Sequence, residues 1–293
     1  MVEPKVEIPP GTRFVAVVGD PVAHTLSPRM HAAAFQARGL PWAYLALRVP
    51  AGALREAVVG LVALGFEGAN VTLPHKVAVC DLADELDVSA RRCGAANTLV
   101  FRTGRVLAYN TDVEGCARAL AEAGVDVAGT SVAVLGAGGA ARAACVALAE
   151  RGARRVAVLA RDPRRAEALC AQMRGLFPQT AFDGYPMEHT WLRTALRASS
   201  LLVNATPVGM HPASEQSPLQ DARWLRPPLV VFDMVYNPPQ TRLLQQAAKM
   251  GCRTVGGLSM LVHQGAAAFE LWTGTEAPVE AMKRAVGLVP AEV

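Results

Sequence analysis

Residues 131–152 read SVAVLGAGGAARAACVALAERG. The first five form a short, Val-rich apolar run of the kind that makes a fully buried parallel strand. A helix follows, and between the two Gly136, Gly138 and Ala141 fill the pattern G-x-G-x-x-A. The first glycine of such a loop makes the tight turn. The second lets backbone approach a pyrophosphate, and the small third residue lets the helix pack closely on the strand. The helix start, with Gly139 and Ala140, offers backbone N–H groups and a positive dipole end to an anion. A second strand, RRVAVLA at 154–160, supplies the strand–helix–strand context of a dinucleotide site. Without a ligand the same pattern is only a tight strand–helix turn.

The end of that second strand selects the nucleotide. An NAD site usually places Asp or Glu there to hold the ribose hydroxyls. Here the chain reads VLARDPRRAEAL (158–169), with Arg161 first and Arg164 and Arg165 just beyond. Guanidinium groups pair well with phosphate, so this reads as a clamp for a 2′-phosphate and the cofactor as NADP. Asp162 is the opposing signal, because a shift of one residue would bring its carboxylate to the ribose.

Working outward, strand and helix patterns alternate on both sides. Downstream come a helix, SLLVNATP (200–207), LVVFDMVY (229–236), another helix and RTVGG (253–257). Upstream, RFVAVVGD (13–20) is a strand and TLSPRMHAAAFQARGL (25–40) a helix, with Ser27 as N-cap and Pro28 at its first position. WAYLALRV (42–49), AGALREAVVGLVALG (51–65) and FEGANVTLP (66–74) read as strand, helix and strand. NTLVFRTGRVLAYN (97–110) reads as a hairpin about RTGR, followed by a helix over 113–124. Two closing helices lie in LSMLVHQGAAAFELWTG and PVEAMKRAVGLV.

The expected class is α/β with two domains. A mostly parallel substrate-binding and catalytic domain spans 1–113 and takes back the helices of 257–293. A Rossmann-type, doubly wound NADP domain spans 114–256, with a deep cleft between the two and closure over bound ligands.

Composition excludes several classes. A net charge of +4 in 293 residues, with no block of like charges, gives no nucleic-acid arm. No apolar stretch is long and unbroken enough for a membrane span. The opening MVEPKVEIPPGTR reads as a short tail without the apolar core of a signal peptide. Six cysteines without CxxC spacing read as reduced thiols of a cytoplasmic protein, and six histidines show no metal-ligand spacing. The expected partner is a small molecule, with the chain a monomer or homodimer.

Four polar clusters fall where strands should run out into loops: GDPVAHTLSPRMH, NVTLPHK (70–76), GAANTL (94–99) and YNTD (109–112). Ligands of open α/β sheets bind beyond such ends. Ser27, Asn70, Thr72, Lys76, Asn97, Thr111 and Asp112 can therefore converge on a site suited to a polyhydroxylated acid. Helix capping is the plainer role for Ser27 and Asp112. Lys76 is one of only four lysines against 25 arginines. Lysine can trade a proton with a substrate oxygen, whereas arginine stays protonated.

In this order, NVTLPHK, NTD (110–112), GAGGAARA (136–143), NATPVGM (204–210), DMVYNPPQT (233–241) and GLSMLVHQGAAAFELWTG (257–274) resemble the motif series of the shikimate dehydrogenase family. The likeness runs from about residue 13 to 274. It implies NADP-dependent interconversion of 3-dehydroshikimate and shikimate, a step towards chorismate and the aromatic amino acids. It implies Lys76 and Asp112 as the catalytic pair. Substrate contacts would be Thr25, Ser27, Asn70, Thr72, Asn97 and Gln264, with Tyr236 at the edge. On the cofactor side it implies Gly136, Gly138, Gly139, Ala140 and Thr206, with Arg161 and Arg165 at the 2′-phosphate and Met234 and Gly257 near the nicotinamide. The chain departs from the family at Thr25, usually serine, and at Ala160 and Asp162, which replace the polar neighbours of Arg161. Ala108 and Val113 stand in place of glycines. A quinate/shikimate or aminoshikimate dehydrogenase using NAD or both cofactors, and a non-catalytic NADP-binding sensor, are the alternatives. A dehydrogenase sharing only the nucleotide fold is a third.

Overall fold

A computed structural model describes residues 8–289. Positions 1–7 of the expected tail, and 290–293 of the expected C-terminal segment, lie outside the described residues.

The first sheet contains β1 (Arg13–Gly19), β2 (Trp42–Arg48), β3 (Gly68–Val71), β4 (Glu85–Leu86), β5 (Thr98–Arg102) and β6 (Arg105–Tyr109), in the order β2-β1-β3-β5-β6-β4. β1 pairs in parallel with β2 and β3, and β5 runs antiparallel to β3 and β6. α1 (Ser27–Ala37), α2 (Leu54–Ala63), α3 (Val88–Cys93) and α4 (Thr111–Glu122) connect or flank these strands. The β5–β6 hairpin pairs Arg102 with Arg105 and turns through Thr103 and Gly104 at φ 51° and 76°. A two-residue turn of type I′ requires positive φ at both positions.

The second sheet contains β7 (Ser131–Leu135), β8 (Arg155–Ala160), β9 (Ala181–Pro186), β10 (Leu201–Asn204), β11 (Val230–Asp233) and β12 (Arg253–Val255). Its order is β12-β11-β10-β7-β8-β9, parallel throughout. This is the doubly wound arrangement, with its switch point between β7 and β10. α5 (Gly139–Glu150), α6 (Pro163–Leu176), α7 (His189–Ala198) and α8 (Arg242–Lys249) cover its two faces. Burial on both faces explains why strands such as SVAVL and LLVN are continuous apolar runs.

α9 (Gly257–Thr273) and α10 (Val279–Ala285) return to the first sheet. Leu258, Leu261, Val262, Phe269 and Met282 share one core with Val15, Val17, Phe35 and Tyr44. α9 also packs along α4, which in turn packs on α5. These three helices tie the two sheets together.

Three local outcomes differ from the sequence reading. Ser27 is the first residue of α1 and not its N-cap; the preceding Leu26 already has right-handed helical dihedrals, so Pro28 falls one position further in. Asp112 lies inside the first turn of α4 behind Asn110, and its carboxylate caps nothing. β9 and α7, and the short β4 and α3, occupy stretches to which no element was assigned. β9 reads AFDGYP, with poor strand formers in Asp183, Gly184 and Pro186. It is an edge strand held by its ladder to β8 and by Arg155 Nε donating to Asp183 Oδ2 at 2.8 Å, contacts that no local pattern encodes.

The α4–α9 crossing depends on Gly115. A Cβ there would stand 2.8 Å from Gln264 Cβ and 2.9 Å from the Met260 carbonyl oxygen. At Gly265 the nearest obstacle is the Met30 methyl, the movable end of a flexible side chain. Gly115→Ala should therefore destabilise the chain by about 1–3 kcal/mol, and Gly265→Ala by less, in denaturant titrations. The reverse ranking would contradict this packing.

Candidate active site

Strand direction brings the polar residues to one edge. β3 pairs Asn70 with Thr98, and the hairpin pairs Thr98 with Tyr109. The end of β3, the start of β5 and the end of β6 are therefore neighbours. Lys76 lies in the loop after β3, Asn97 just before β5, and Asp112 in the first turn of α4 after β6.

Lys76 Nζ donates to Asp112 Oδ2 at 2.5 Å. The lysine side chain is 18% exposed and the aspartate 6%. A pair this buried must satisfy its remaining valences or cost stability. Asn97 Nδ2 does so for the aspartate, donating to Asp112 Oδ1 at 2.9 Å. The same amide nitrogen lies 3.0 Å from Thr111 Oγ1 and 3.2 Å from Gln264 Oε1. Two protons thus face three acceptors, leaving one acceptor for an incoming hydroxyl. The Lys76 carbonyl accepts from Ala96 N at 2.7 Å, which fixes the loop.

Asn70 lines the same space with its amide already engaged. Nδ2 donates to Asn97 O at 3.1 Å and to Thr98 Oγ1 at 3.0 Å, and Oδ1 accepts from Tyr44 OH at 2.7 Å. The Tyr44 ring stacks on His31 with centroids 4.4 Å apart. Burial drives the His31 pKa down to about 3, so the imidazole is neutral. Tyr44 escaped the sequence reading because it sits in an apolar strand pattern, and His31, although it ends the first polar cluster, because it packs on Phe35, Tyr44 and the distant Trp272. At the far wall, Thr25 Oγ1 donates to Ser27 Oγ at 3.2 Å and stands 3.5 Å from Tyr236 OH. Three hydroxyls from two distant segments are thereby gathered.

The second sheet contributes the opposite wall. Gly136 follows β7 at φ 108°, a conformation that favours glycine. A Cβ there would lie 3.0 Å from the Ala205 carbonyl oxygen. Gly138 precedes α5 with no side-chain cap, so the first helical N–H groups are left for a ligand. Ala141 is fully buried beneath them. Thr206 Oγ1 donates to Asn204 Oδ1 at 2.7 Å, and Met234 N donates to Asn204 O at 3.0 Å. At Gly257 a Cβ would stand 2.6 Å from the Met234 carbonyl oxygen. These loops close a cavity of about 310 Å³, lined from both sheets by Lys76, Asp112, Asn97, Gln264, Gly139, Ala140, Thr206 and Met234. Thr25, Ser27, Asn70, Thr72, Tyr236, Gly257 and Arg165 line it too, and Gly136, Gly138 and Arg161 do not. The volume is at the lower end of the range for small-molecule sites.

Arg161 follows β8 on the surface, and Arg165 lies in the first turn of α6. Neither side chain makes a hydrogen bond or ion pair among the described residues. Arg164 is different. Its Nε and Nη2 donate to both oxygens of Asp162 at 3.0 and 3.1 Å, while Asp162 Oδ1 also caps α6 through Arg164 N at 3.0 Å. The Asp162 carboxylate is thus occupied within its own turn, and Arg164 is drawn from the cluster. The uncapped α5 start, the close-approach glycines and two unpaired guanidinium groups fit a dinucleotide bearing an extra phosphate.

Asp233 is a buried support that the sequence reading missed, although it ends the apolar strand VVFD. It accepts from Thr241 Oγ1 at 2.6 Å, Asn204 Nδ2 at 2.9 Å and Val235 N at 3.1 Å. It thereby locks the loops after β10 and β11. Among the described residues no His/Cys/Asp/Glu group could hold a metal ion, and no helix is long and apolar enough to cross a membrane.

Two α/β units, one with a doubly wound sheet, face a shared cavity that holds a lysine–carboxylate pair beside a dinucleotide loop. That combination defines a nicotinamide-dinucleotide oxidoreductase. Family models narrow the class: "Shikimate dehydrogenase substrate binding domain" matches residues 17–99, "Shikimate / quinate 5-dehydrogenase" 118–234, and "Shikimate 5'-dehydrogenase C-terminal domain" 257–286. A shikimate dehydrogenase (NADP(+)) of Methanopyrus kandleri is 48% identical, over 94% of this chain and 95% of that one. The one from Moorella thermoacetica is 46% identical over 95% and 94%. Among solved structures, shikimate 5-dehydrogenase from Thermus thermophilus in complex with NADP(H) and shikimate matches with TM-score 0.82 and 39% identity, over 94% of this chain and 99% of that chain. The chain belongs to the shikimate dehydrogenase family.

Burial raises the Asp233 pKa from 3.8 to about 6, against the three hydrogen bonds that lower it. The folded state then holds this proton more tightly than the unfolded chain. Its contribution to stability is complete below about pH 4 and is lost as pH rises through about 6. A shift of roughly two units corresponds to about 3 kcal/mol. Asp233→Asn should therefore gain stability relative to the parent chain by up to that amount between pH 4 and pH 7. A difference in melting temperature that stays constant across this range would contradict the assignment.

Proposed function

We propose that the chain catalyses the NADP-dependent, reversible reduction of 3-dehydroshikimate to shikimate. The observation that carries the reading is the buried Lys76–Asp112 pair set opposite the α5 N-terminus in one cavity. The two units act as a substrate domain over 1–113 with the helices of 257–293, and a cofactor domain over 114–256. Gly136, Gly138, Gly139 and Ala140 would hold the pyrophosphate, Arg161 and Arg165 the 2′-phosphate, and Thr206, Met234 and Gly257 would flank the nicotinamide.

When bound, NADPH supplies hydride to the ketone carbon. The remaining work falls to side chains. The Lys76 ammonium donates a hydrogen bond to the ketone oxygen and passes it a proton as negative charge develops there. Lysine then regains a proton from solvent, and the reverse reaction runs the same path backwards. Asp112 holds the ammonium on one oxygen and accepts a ring hydroxyl. Asn97 and Gln264 hold a neighbouring hydroxyl with the surplus acceptor described above. Thr25, Ser27 and Tyr236 receive the carboxylate with their hydroxyls, and Thr72 and the fixed Asn70 wall the ring. Thr25 keeps the hydroxyl that serine usually provides.

The site is complete within one chain, so a monomer or a homodimer serves it equally. Six unpaired cysteines support a cytoplasmic setting.

The test follows reduced-nicotinamide absorbance with shikimate and with quinate, each with NADP and with NAD. Rapid turnover only with shikimate and NADP is expected. Comparable activity with quinate or NAD would instead place the chain with broad-specificity dehydrogenases. Lys76→Ala should lower turnover by at least about 100-fold with the fold intact by circular dichroism; near-normal turnover would remove Lys76 from the mechanism.

A further inference from the structure

Within the glycine-rich loop, the positions carry different loads. A Cβ added to Gly138 would meet nothing within 4 Å. A Cβ added to Gly139 would stand 2.8 Å from Lys76 Cβ, 3.1 Å from Cδ and 3.4 Å from Cγ. The close atom is the root of the lysine side chain and not its movable tip, so the side chain cannot simply swing aside. The lysine backbone is pinned as well, by Ala96 N donating to Lys76 O at 2.7 Å. Gly139 belongs to the second sheet's unit and Lys76 to the first.

We propose that Gly139 is a positioning residue for Lys76: the first residue of α5 forms the wall against which the lysine stem lies, and this wall aims Nζ at Asp112. The proposal rests on the catalytic role given to Lys76 above. The G-x-G-x-x-A pattern needs small residues at 136, 138 and 141 for the turn, the pyrophosphate and helix packing. It places no demand on 139. The demand there comes from the facing unit. The cofactor helix therefore has two separable functions: its N–H groups hold phosphate, and the bare Cα of Gly139 admits the lysine. The proton donor is in register only when the α5 start is docked against the 70–76 loop, so withdrawal of the cofactor unit would also release Lys76.

The test compares Gly139→Ala with Gly138→Ala in the full chain. Turnover of the parent chain with shikimate and NADP is the precondition, and its absence would overturn the functional reading and with it this one. With that turnover present, Gly139→Ala should lower kcat at least tenfold and displace the pH profile of kcat, while NADP affinity, read by fluorescence titration, falls by a clearly smaller factor, because alanine keeps the backbone N–H that faces the phosphate. Gly138→Ala should raise the KM for NADP and leave the pH profile in place. A Gly139→Ala protein that loses NADP affinity in proportion to activity, or keeps the parent kcat and pH profile, overturns the proposal. A cycle with Lys76→Gly covers poor folding: the loss of melting temperature caused by Gly139→Ala should shrink when position 76 lacks a side chain. An equal loss in both backgrounds also overturns it.

Discussion

The structure turns on a buried ion pair held by the strand ends of the first sheet and by the helix that returns to it. Lys76 and Asp112 meet at 2.5 Å with little solvent around them. Such a pair is tolerable only when its remaining hydrogen-bonding capacity is met. Asn97 meets it for the carboxylate, Thr111 and Gln264 hold Asn97, and Gln264 arrives on α9 from the far end of the chain. The return of α9 to the first sheet is thus as much a requirement of the ion pair as of the apolar core it completes.

The same constraint explains how the units face each other. Both sheets direct the carboxyl ends of parallel strands toward one cavity, and the α4–α9 and α4–α5 contacts hold them there. Electrostatics divides the cavity between them. One side offers an uncapped helix start with Arg165 nearby, and the other a lysine with its carboxylate. Asp162, whose carboxylate would suit an unphosphorylated ribose, is consumed by Arg164 and by its own helix.

Legibility in the sequence followed locality. SVAVL, the glycine turn and α5 could be read because strand burial, the turn and the helix start are each written in adjacent residues. The placement of Asn70, Asn97 and Asp112 on one edge was also legible, since each falls in a polar cluster where a strand meets a loop. β9 was not, because AFDGYP becomes a strand only through its ladder to β8. Tyr44 and Asp233 were hidden for a related reason: their partners lie 26 residues away for the Tyr44–Asn70 bond and 29 for the Asn204–Asp233 bond. Gly139 was legible as a glycine of the loop, and its contact with Lys76 was not. The resemblance to a family supplied roles that spacing alone leaves open.

The measurement that bears most directly on the Lys76–Asp112 pair is a double-mutant cycle on turnover, with Lys76→Ala, Asp112→Ala and the two combined. Groups that act as one unit are non-additive. If the pair works together on the substrate oxygen, the double variant should be about as slow as the slower single variant. If instead the losses multiply, each residue acts independently, and the paired arrangement is a structural ion pair that happens to face the cavity.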